Sequence, residues 1–164
     1  MSEQRWVLLM RHGDAVDDAP GMGDRGRWLT QEGRTQTRAV AEQLALRHPR
    51  PERLWTSPLV RAVQTAELVA QVLGHTDEVQ ALAALSVDGN PALVHQALCR
   101  VSASSSGLVP SVMVFGHEPT LSALASLMLG PGAWRGFRKS AILALALDAQ
   151  SGRGTLRYVI EPEA

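Results

Sequence analysis

Short uninterrupted apolar runs alternate along the chain with longer segments in which apolar side chains recur every three or four residues. The run Trp6–Met10 contains no polar position, which is typical of a strand buried on both faces. Arg53–Thr56 and Val112–Phe115 predict two further short strands. Because helical segments separate these runs, the pattern favours an α/β sandwich around a mostly parallel sheet.

Four helices are predicted from apolar stripes and from the residues that begin or end them. The first follows Thr30, a good N-cap, and ends before Pro49. Ser57-Pro58 opens the second, with Ser57 as the cap and Pro58 near the first helical position, and Gly74 ends it. The third and fourth begin at Asn90-Pro91 and at about Pro119.

The C-terminal part of the pattern is different. Ala141–Leu147 and Thr155–Ile160 flank Gly152-Arg153-Gly154 and predict a β-hairpin, which adds antiparallel strands to the sheet. A weak strand is predicted near Glu78–Leu82.

Two segments predict no regular element. Residues 11–29 carry four glycines and four aspartates, and a loop of this length in a small domain is usually functional or mobile. The low-complexity run 102–107 predicts a surface loop.

The length, the net charge and the cysteine content exclude several classes of protein. A chain of 164 residues is expected to form one domain, residues 1–164. Its formal net charge of zero argues against a protein that binds nucleic acid or a membrane surface. The single Cys99 excludes an internal disulfide, and Trp6–Met10 is too short for a signal-peptide core or a membrane span. These features predict a cytoplasmic location.

Reactive side chains follow three of the predicted strands. Arg11-His12-Gly13 follows the first, Ser57 to Arg61 follows the second, and Gly116-His117-Glu118 follows the strand at Val112–Phe115. Parallel strands present their carboxyl ends at one edge, where ligands bind in open α/β sheets. The sequence therefore predicts a pocket that contains two arginines, two histidines and a helix N-terminus.

This set of residues suits a phosphoryl group. Arginine matches phosphate oxygens in a bidentate manner, and Gly13 is expected to let the backbone approach the anion. A neutral histidine can attack phosphorus and form a covalent phosphohistidine, after which water completes the transfer. The flanking arginines argue against a metal site, and Leu121 stands where a zinc-protease HExxH motif needs histidine.

Three motifs then carry a family resemblance. LLMRHGDA (8–15), SPLVRAVQTAE (57–67) and GHEPTL (116–121) resemble the histidine phosphatase superfamily, also called phosphoglycerate mutase-like, in order and spacing. The short chain and the stretch from Asp24 to Thr30 resemble the small bacterial phosphohistidine phosphatases. The resemblance implies a three-layer α/β/α sandwich with a mixed, mostly parallel six-stranded sheet.

The same resemblance implies roles for the motif residues. His12 would be the nucleophile, and Arg11, Arg61 and His117 would bind the phosphoryl group. The substrate would be a phosphorylated histidine-containing phosphotransfer protein, and no cofactor is expected. His12 must be neutral to attack, so activity is expected to fall at acidic pH.

Several assignments stay open at this point. The general acid is Glu118, which directly follows the second histidine, or Asp24 in the long loop. Each carboxylate also has a purely structural interpretation, and Ser57 is either a phosphate ligand or a plain N-cap. A small-molecule phosphomonoesterase would need a working acid, because the alcohol that forms from an alkoxide leaving group has a pKa close to that of water, roughly 15.7. An imidazole leaving group, with a pKa of ~6.5, needs less help. The third alternative is a catalytically silent phosphohistidine-binding module.

Overall fold

A computed structural model describes residues 3–47, 49–102 and 107–163. Within these ranges, six strands form one sheet in the order β3-β2-β4-β1-β5-β6. The strands are β1 Gln4–Arg11, β2 Arg53–Thr56, β3 Gln80–Ala81, β4 Ser111–Gly116, β5 Ile142–Asp148 and β6 Gly154–Ile160. β3, β2, β4 and β1 run parallel, and β5 is antiparallel to both β1 and β6. The predicted mixed, mostly parallel sheet with its C-terminal hairpin is therefore confirmed.

Four α-helices cover the two faces of the sheet. They are α1 Gln31–Ala45, α2 Val60–Leu73, α3 Pro91–Cys99 and α4 Thr120–Leu129. The apolar stripes of α1 and α2 pack in one buried cluster and those of α3 and α4 pack in another. The central strand β1 contributes Leu8 and Met10 to the first cluster, and Val7 and Leu9 to the second. Its apolar run is uninterrupted because helices cover both faces, and the three-layer α/β/α architecture is confirmed.

One predicted helix start is wrong, and two other segments differ from the prediction in detail. Helix α2 begins at Val60, with Leu59 at its N-cap position, so Ser57 does not cap it. The weak strand near Glu78–Leu82 is reduced to the two residues of β3, which pair with β2. The segment 11–29 contains one turn of 3-10 helix, Asp24–Gly26, and a single bridge between Ala15 and Leu29. Residues 103–106 of the low-complexity run lie outside the described residues.

The segment that follows β1 is fixed to the start of α1. Thr30 caps α1 as predicted, because its hydroxyl accepts a hydrogen bond from the Gly33 N–H. The Thr30 N–H donates to the Asp14 carbonyl at 2.9 Å. Gly33 lies against the same peptide, and a Cβ there would overlap the Asp14 carbonyl oxygen. In the described part of the chain, no helix has the length and apolar character needed to cross a membrane.

Candidate active site

Three neighbouring strand ends bring the predicted site residues together. β2, β4 and β1 are adjacent and parallel, so their carboxyl ends meet at one edge. The His12 N–H donates to the Gly116 carbonyl at 3.1 Å, and the Ser57 N–H donates to the Phe115 carbonyl at 3.0 Å. The rings of His12 and His117 lie 5.0 Å apart between centroids.

The hydrogen bonds of His12 define which ring nitrogen can react. Nδ1 lies 2.7 Å from the Gly13 carbonyl oxygen, which can only accept, so Nδ1 carries the proton. Nε2 therefore keeps its lone pair, and Arg61 Nε donates to it at 3.3 Å. The arrangement presents a neutral, oriented imidazole with its nucleophilic nitrogen beside a guanidinium.

Burial keeps His12 uncharged. The ring is 6% exposed, and this desolvation lowers its pKa to about 3, from the usual value near 6.5. The hydrogen bond to Gly13 opposes the shift, and His117, Arg61 and Arg11 reinforce it. Burial likewise lowers the pKa of His117 to about 4, with Arg61 as the next largest contribution. Both rings are therefore neutral near pH 7.

The two lowered pKa values predict how stability depends on pH. Below about pH 6.5 the unfolded chain binds protons at both histidines that the folded protein does not bind. The free energy of unfolding should therefore fall as the pH drops from 6.5 to 4, by up to about 1.4 kcal/mol per pH unit for each ring. Urea unfolding across this range measures the slope. His12→Gln should have a shallower slope, and an equal slope in the variant would contradict the assignment.

Gly13 is held tightly by its surroundings. Its N–H donates to Thr65 Oγ1 at 3.1 Å, and a Cβ at Gly13 would lie 2.7 Å from Thr37 Oγ1. We expected this glycine to let the backbone approach an anion. In the structure its missing side chain instead makes room for α1, and its N–H has an internal partner. The contact that Gly13 makes within the site is its carbonyl, which accepts the hydrogen bond from His12 Nδ1 and orients that ring.

All three guanidinium nitrogens of Arg61 donate hydrogen bonds within the protein. Arg61 is 4% exposed, and its terminal nitrogens donate to Asp24, Nη1 to the backbone carbonyl at 2.8 Å and Nη2 to Oδ2 at 3.2 Å. Asp24 also pairs with Arg27 at 3.1 Å. Partial burial of Asp24 favours its neutral form, but hydrogen bonds from Arg27 and Arg61 outweigh this effect and lower the pKa of its carboxyl. Asp24 is therefore an ionised partner of Arg61.

Two buried side-chain nitrogens near His12 have no hydrogen-bond partner among the described residues. They are Arg11 Nε and His117 Nδ1. Arg11 is positioned by Nη1, which donates to the Phe137 carbonyl at 2.9 Å, and His117 by Nε2, which lies 2.7 Å from Ser57 Oγ. Buried polar groups normally find a hydrogen-bond partner, so these two atoms mark a place for acceptor oxygens.

The Glu118 carboxylate accepts hydrogen bonds from Ser122 and from the backbone of Phe137. Oε1 accepts from the Ser122 N–H at 3.1 Å, and Oε2 accepts from the Ser122 hydroxyl at 2.5 Å and the Phe137 N–H at 3.4 Å. The side chain thus binds the first turn of α4 and the N–H of Phe137, the residue whose carbonyl accepts from Arg11. Of the two acid candidates, Asp24 is the one that contacts Arg61.

Sequence reasoning missed two contributors to this site, Thr65 and Phe137, and left the role of a third, Ser57, open. Thr65 lies one helical turn after Arg61 and links the Arg61 carbonyl to the Gly13 N–H, and the i, i+4 spacing was the available signal. Ser57 was expected to be either a phosphate ligand or a helix cap, and in the structure its hydroxyl contacts His117. Phe137 acts through backbone atoms in an irregular loop, for which the sequence carries no signal.

Comparison with known proteins places this geometry in a family. A model of the histidine phosphatase superfamily (branch 1) matches residues 7–86. Phosphohistidine phosphatase SixA of Escherichia coli strain K12 is 34% identical over 156 residues, which cover 95% of this chain and 93% of that protein. The chain belongs to the histidine phosphatase superfamily.

Two solved structures resemble this protein over almost the whole chain. A structure of the protein histidine phosphatase SixA complexed with tungstate matches with a TM-score of 0.83 and 34% identity, over 96% of this chain and 97% of that chain. A mycobacterial glucosyl-3-phosphoglycerate phosphatase matches with a TM-score of 0.67 and 20% identity, over 93% of this chain and 97% of that chain. This second likeness shows the shared histidine phosphatase fold alone.

Proposed function

We propose that this protein is a phosphatase that removes phosphate from protein phosphohistidine through a covalent phosphohistidine on His12. The observation that carries the proposal is the pair of contacts on the His12 ring, Nδ1 to Gly13 and Nε2 to Arg61. A nucleophile whose proton is held on the far nitrogen can attack without first losing it. The similarity to SixA supports the substrate class.

The first step transfers the phosphoryl group to the enzyme. His12 Nε2 forms a bond to phosphorus while the bond from phosphorus to the substrate's ring nitrogen breaks in line, and the electron pair leaves with that nitrogen. Charge on the equatorial oxygens is stabilised by Arg61, by Arg11 and by a donor from His117. The buried donors on Arg11 and His117 that lack partners suit these oxygens.

The second step returns the enzyme to its starting state. Water attacks phosphorus opposite Nε2, the phosphorus–nitrogen bond breaks, and its electron pair returns to Nε2. Orthophosphate leaves as H₂PO₄⁻ with the oxygen and both protons of that water, and His12 is again neutral with its proton on Nδ1. The cationic guanidiniums stabilise the developing charge in both steps, so we propose that the reaction needs no metal ion.

The carboxylates favour a substrate with a good leaving group. Asp24 is ionised by its arginine partners, and Glu118 is bound to Ser122 and Phe137, so neither is arranged as a protonated donor. An imidazole leaving group needs far less proton donation than an alkoxide, as their solution pKa values of about 6.5 and roughly 15.7 indicate. This supports a histidine-containing phosphotransfer protein as the substrate.

The test is phosphate release from a phosphohistidine-bearing phosphotransfer domain, beside a panel of phosphorylated sugars and acids, with and without EDTA. We expect strong preference for the protein substrate, no effect of EDTA, and a base-stable phosphoenzyme trapped on His12. Preference for an alcohol monoester would instead identify a small-molecule phosphomonoesterase.

The same assay on Asp24→Asn separates the two substrates further. Removing this carboxylate should keep kcat on phosphohistidine within about threefold, since no acid is needed. Tungstate binding should become several-fold tighter, because a negative charge no longer competes for Arg61. Asp17→Asn, an exposed change in the same loop, is the control. A hundredfold loss in Asp24→Asn alone would assign Asp24 as the general acid.

A further inference from the structure

The hydroxyl of Ser57 lies in a closed environment beside His117. Ser57 is 0% exposed and His117 is 2% exposed. Among the described residues, Ser57 Oγ has two hydrogen-bonding neighbours, the Leu59 N–H at 3.2 Å and His117 Nε2 at 2.7 Å. We propose that Ser57 is a positioning residue that holds the proton of His117 on Nδ1, so that this ring serves the phosphoryl group as a neutral hydrogen-bond donor.

The inference starts from the proton of the serine hydroxyl. The Leu59 N–H can only donate, so it uses one lone pair of Oγ. The hydroxyl proton then has one acceptor within reach, the Nε2 lone pair. If Nε2 were protonated instead, the hydroxyl proton would be left buried and unpaired, which proteins avoid. Ser57 therefore donates, and the ring proton is placed on Nδ1.

The other side of the ring leads to the same tautomer. His117 Nδ1 is buried and has no partner among the described residues. In the proposed function, on which this inference rests, a phosphoryl group carries acceptor oxygens and no donor for a bare Nδ1. A bare Nδ1 would face those oxygens with its lone pair, whereas Nδ1–H donates to one of them.

The sheet register explains how Ser57 comes to lie beside His117. β2 and β4 are parallel neighbours, with Thr56 opposite Phe115, so the residues that follow them lie side by side. The Leu59 N–H, just before α2, orients Oγ. Ser57 thus reaches His117 from the loop that precedes the helix, which begins at Val60.

The direct test is nitrogen-15 NMR of histidine rings in the unmodified protein at pH 7. We expect a protonated Nδ1 and an unprotonated, hydrogen-bonded Nε2 for His117, assigned by its loss in His117→Gln. A protonated Nε2 would overturn the proposal. This measurement needs no variant of Ser57, so it decides the question even if Ser57→Ala does not fold.

Ser57→Ala supplies the functional test, with Thr56→Val as its matched control. Thr56 Oγ1 is also buried, but it donates to the Ser57 carbonyl and does not contact His117. In Ser57→Ala we expect a mixture of His117 tautomers, tungstate binding about 10-fold weaker and phosphoenzyme formation at least about 10-fold slower. Thr56→Val should keep the wild-type tautomer and tungstate affinity.

The outcomes separate this inference from the function on which it rests. A wild-type tautomer and unchanged tungstate affinity in Ser57→Ala would overturn the role of Ser57. If the unmodified protein forms no phosphoenzyme, the proposed function fails. The tautomer and tungstate results test the Ser57 contact separately, because neither requires turnover.

Discussion

His12→Ala is expected to reduce turnover of a phosphohistidine protein by at least about 10⁴-fold, because it removes the atom that accepts the phosphoryl group. His117 cannot replace His12 as the nucleophile, because its Nε2 is already hydrogen-bonded to Ser57. Tungstate binding should persist, since Arg11, Arg61 and His117 keep their own partners. Steady-state phosphate release and isothermal titration with tungstate measure the two effects.

His95→Ala is the matched control for that experiment. His95 is bound to the Gly152 carbonyl at the β5–β6 turn and has no contact with the three strand ends that form the site. It should retain wild-type turnover. Equal activity in His12→Ala and wild type would remove the covalent mechanism, and loss of tungstate binding in His12→Ala would show that the variant had lost the pocket rather than the nucleophile.

Gly33→Ala is expected to lower the free energy of unfolding by about 3 kcal/mol, although alanine favours helix over glycine by about 1 kcal/mol. A Cβ at Gly33 would overlap the Asp14 carbonyl oxygen and lie 2.9 Å from its backbone nitrogen. Neither atom can yield without moving the segment that follows His12. We therefore expect turnover to fall together with stability, measured by urea unfolding and phosphate release.

Thr35→Ala in the same helix provides the reference for helix propensity. Thr35 is exposed, and its side chain bonds only to the Gln31 carbonyl of the preceding turn. This change should alter stability by less than about 0.5 kcal/mol. If Gly33→Ala stabilised the protein instead, the close contact between α1 and the Asp14 peptide would be absent in solution.

The fold was largely predictable because strong local patterns agreed with the tertiary structure. The uninterrupted run at Trp6–Met10 matches a strand covered on both faces, and the caps at Thr30 and Asn90 match helix starts. The three strand-end motifs lie at one edge because parallel neighbours end together. These features depend on periodicity and on short-range chemistry, which a sequence displays directly.

The details of the site were harder to predict from the sequence, because they depend on contacts between segments that are distant along the chain. The role of Ser57 depends on a residue 60 positions away in sequence, so a helix cap was the simpler interpretation. The turn at Asp24–Gly26 is polar and short, and its Asp24 is held by Arg61, 37 positions away in sequence. The close contact at Gly33 is invisible in a helical pattern, because it comes from the segment outside the helix.

Thr65 connects the two residues on which the proposed phosphoryl transfer depends. Its hydroxyl is donated to the Arg61 carbonyl at 2.7 Å and accepts the Gly13 N–H, and the Gly13 carbonyl orients His12. The nucleophile and the guanidinium are thus fastened together within the protein interior, while Asp24 is on an exposed turn. In the proposed function, movement of that turn would change how often a phosphorylated partner gains entry, whereas the contacts of Thr65 with Gly13 and Arg61 do not involve the turn. Changes in the outer loop would then alter access for partners and leave those interior contacts in place.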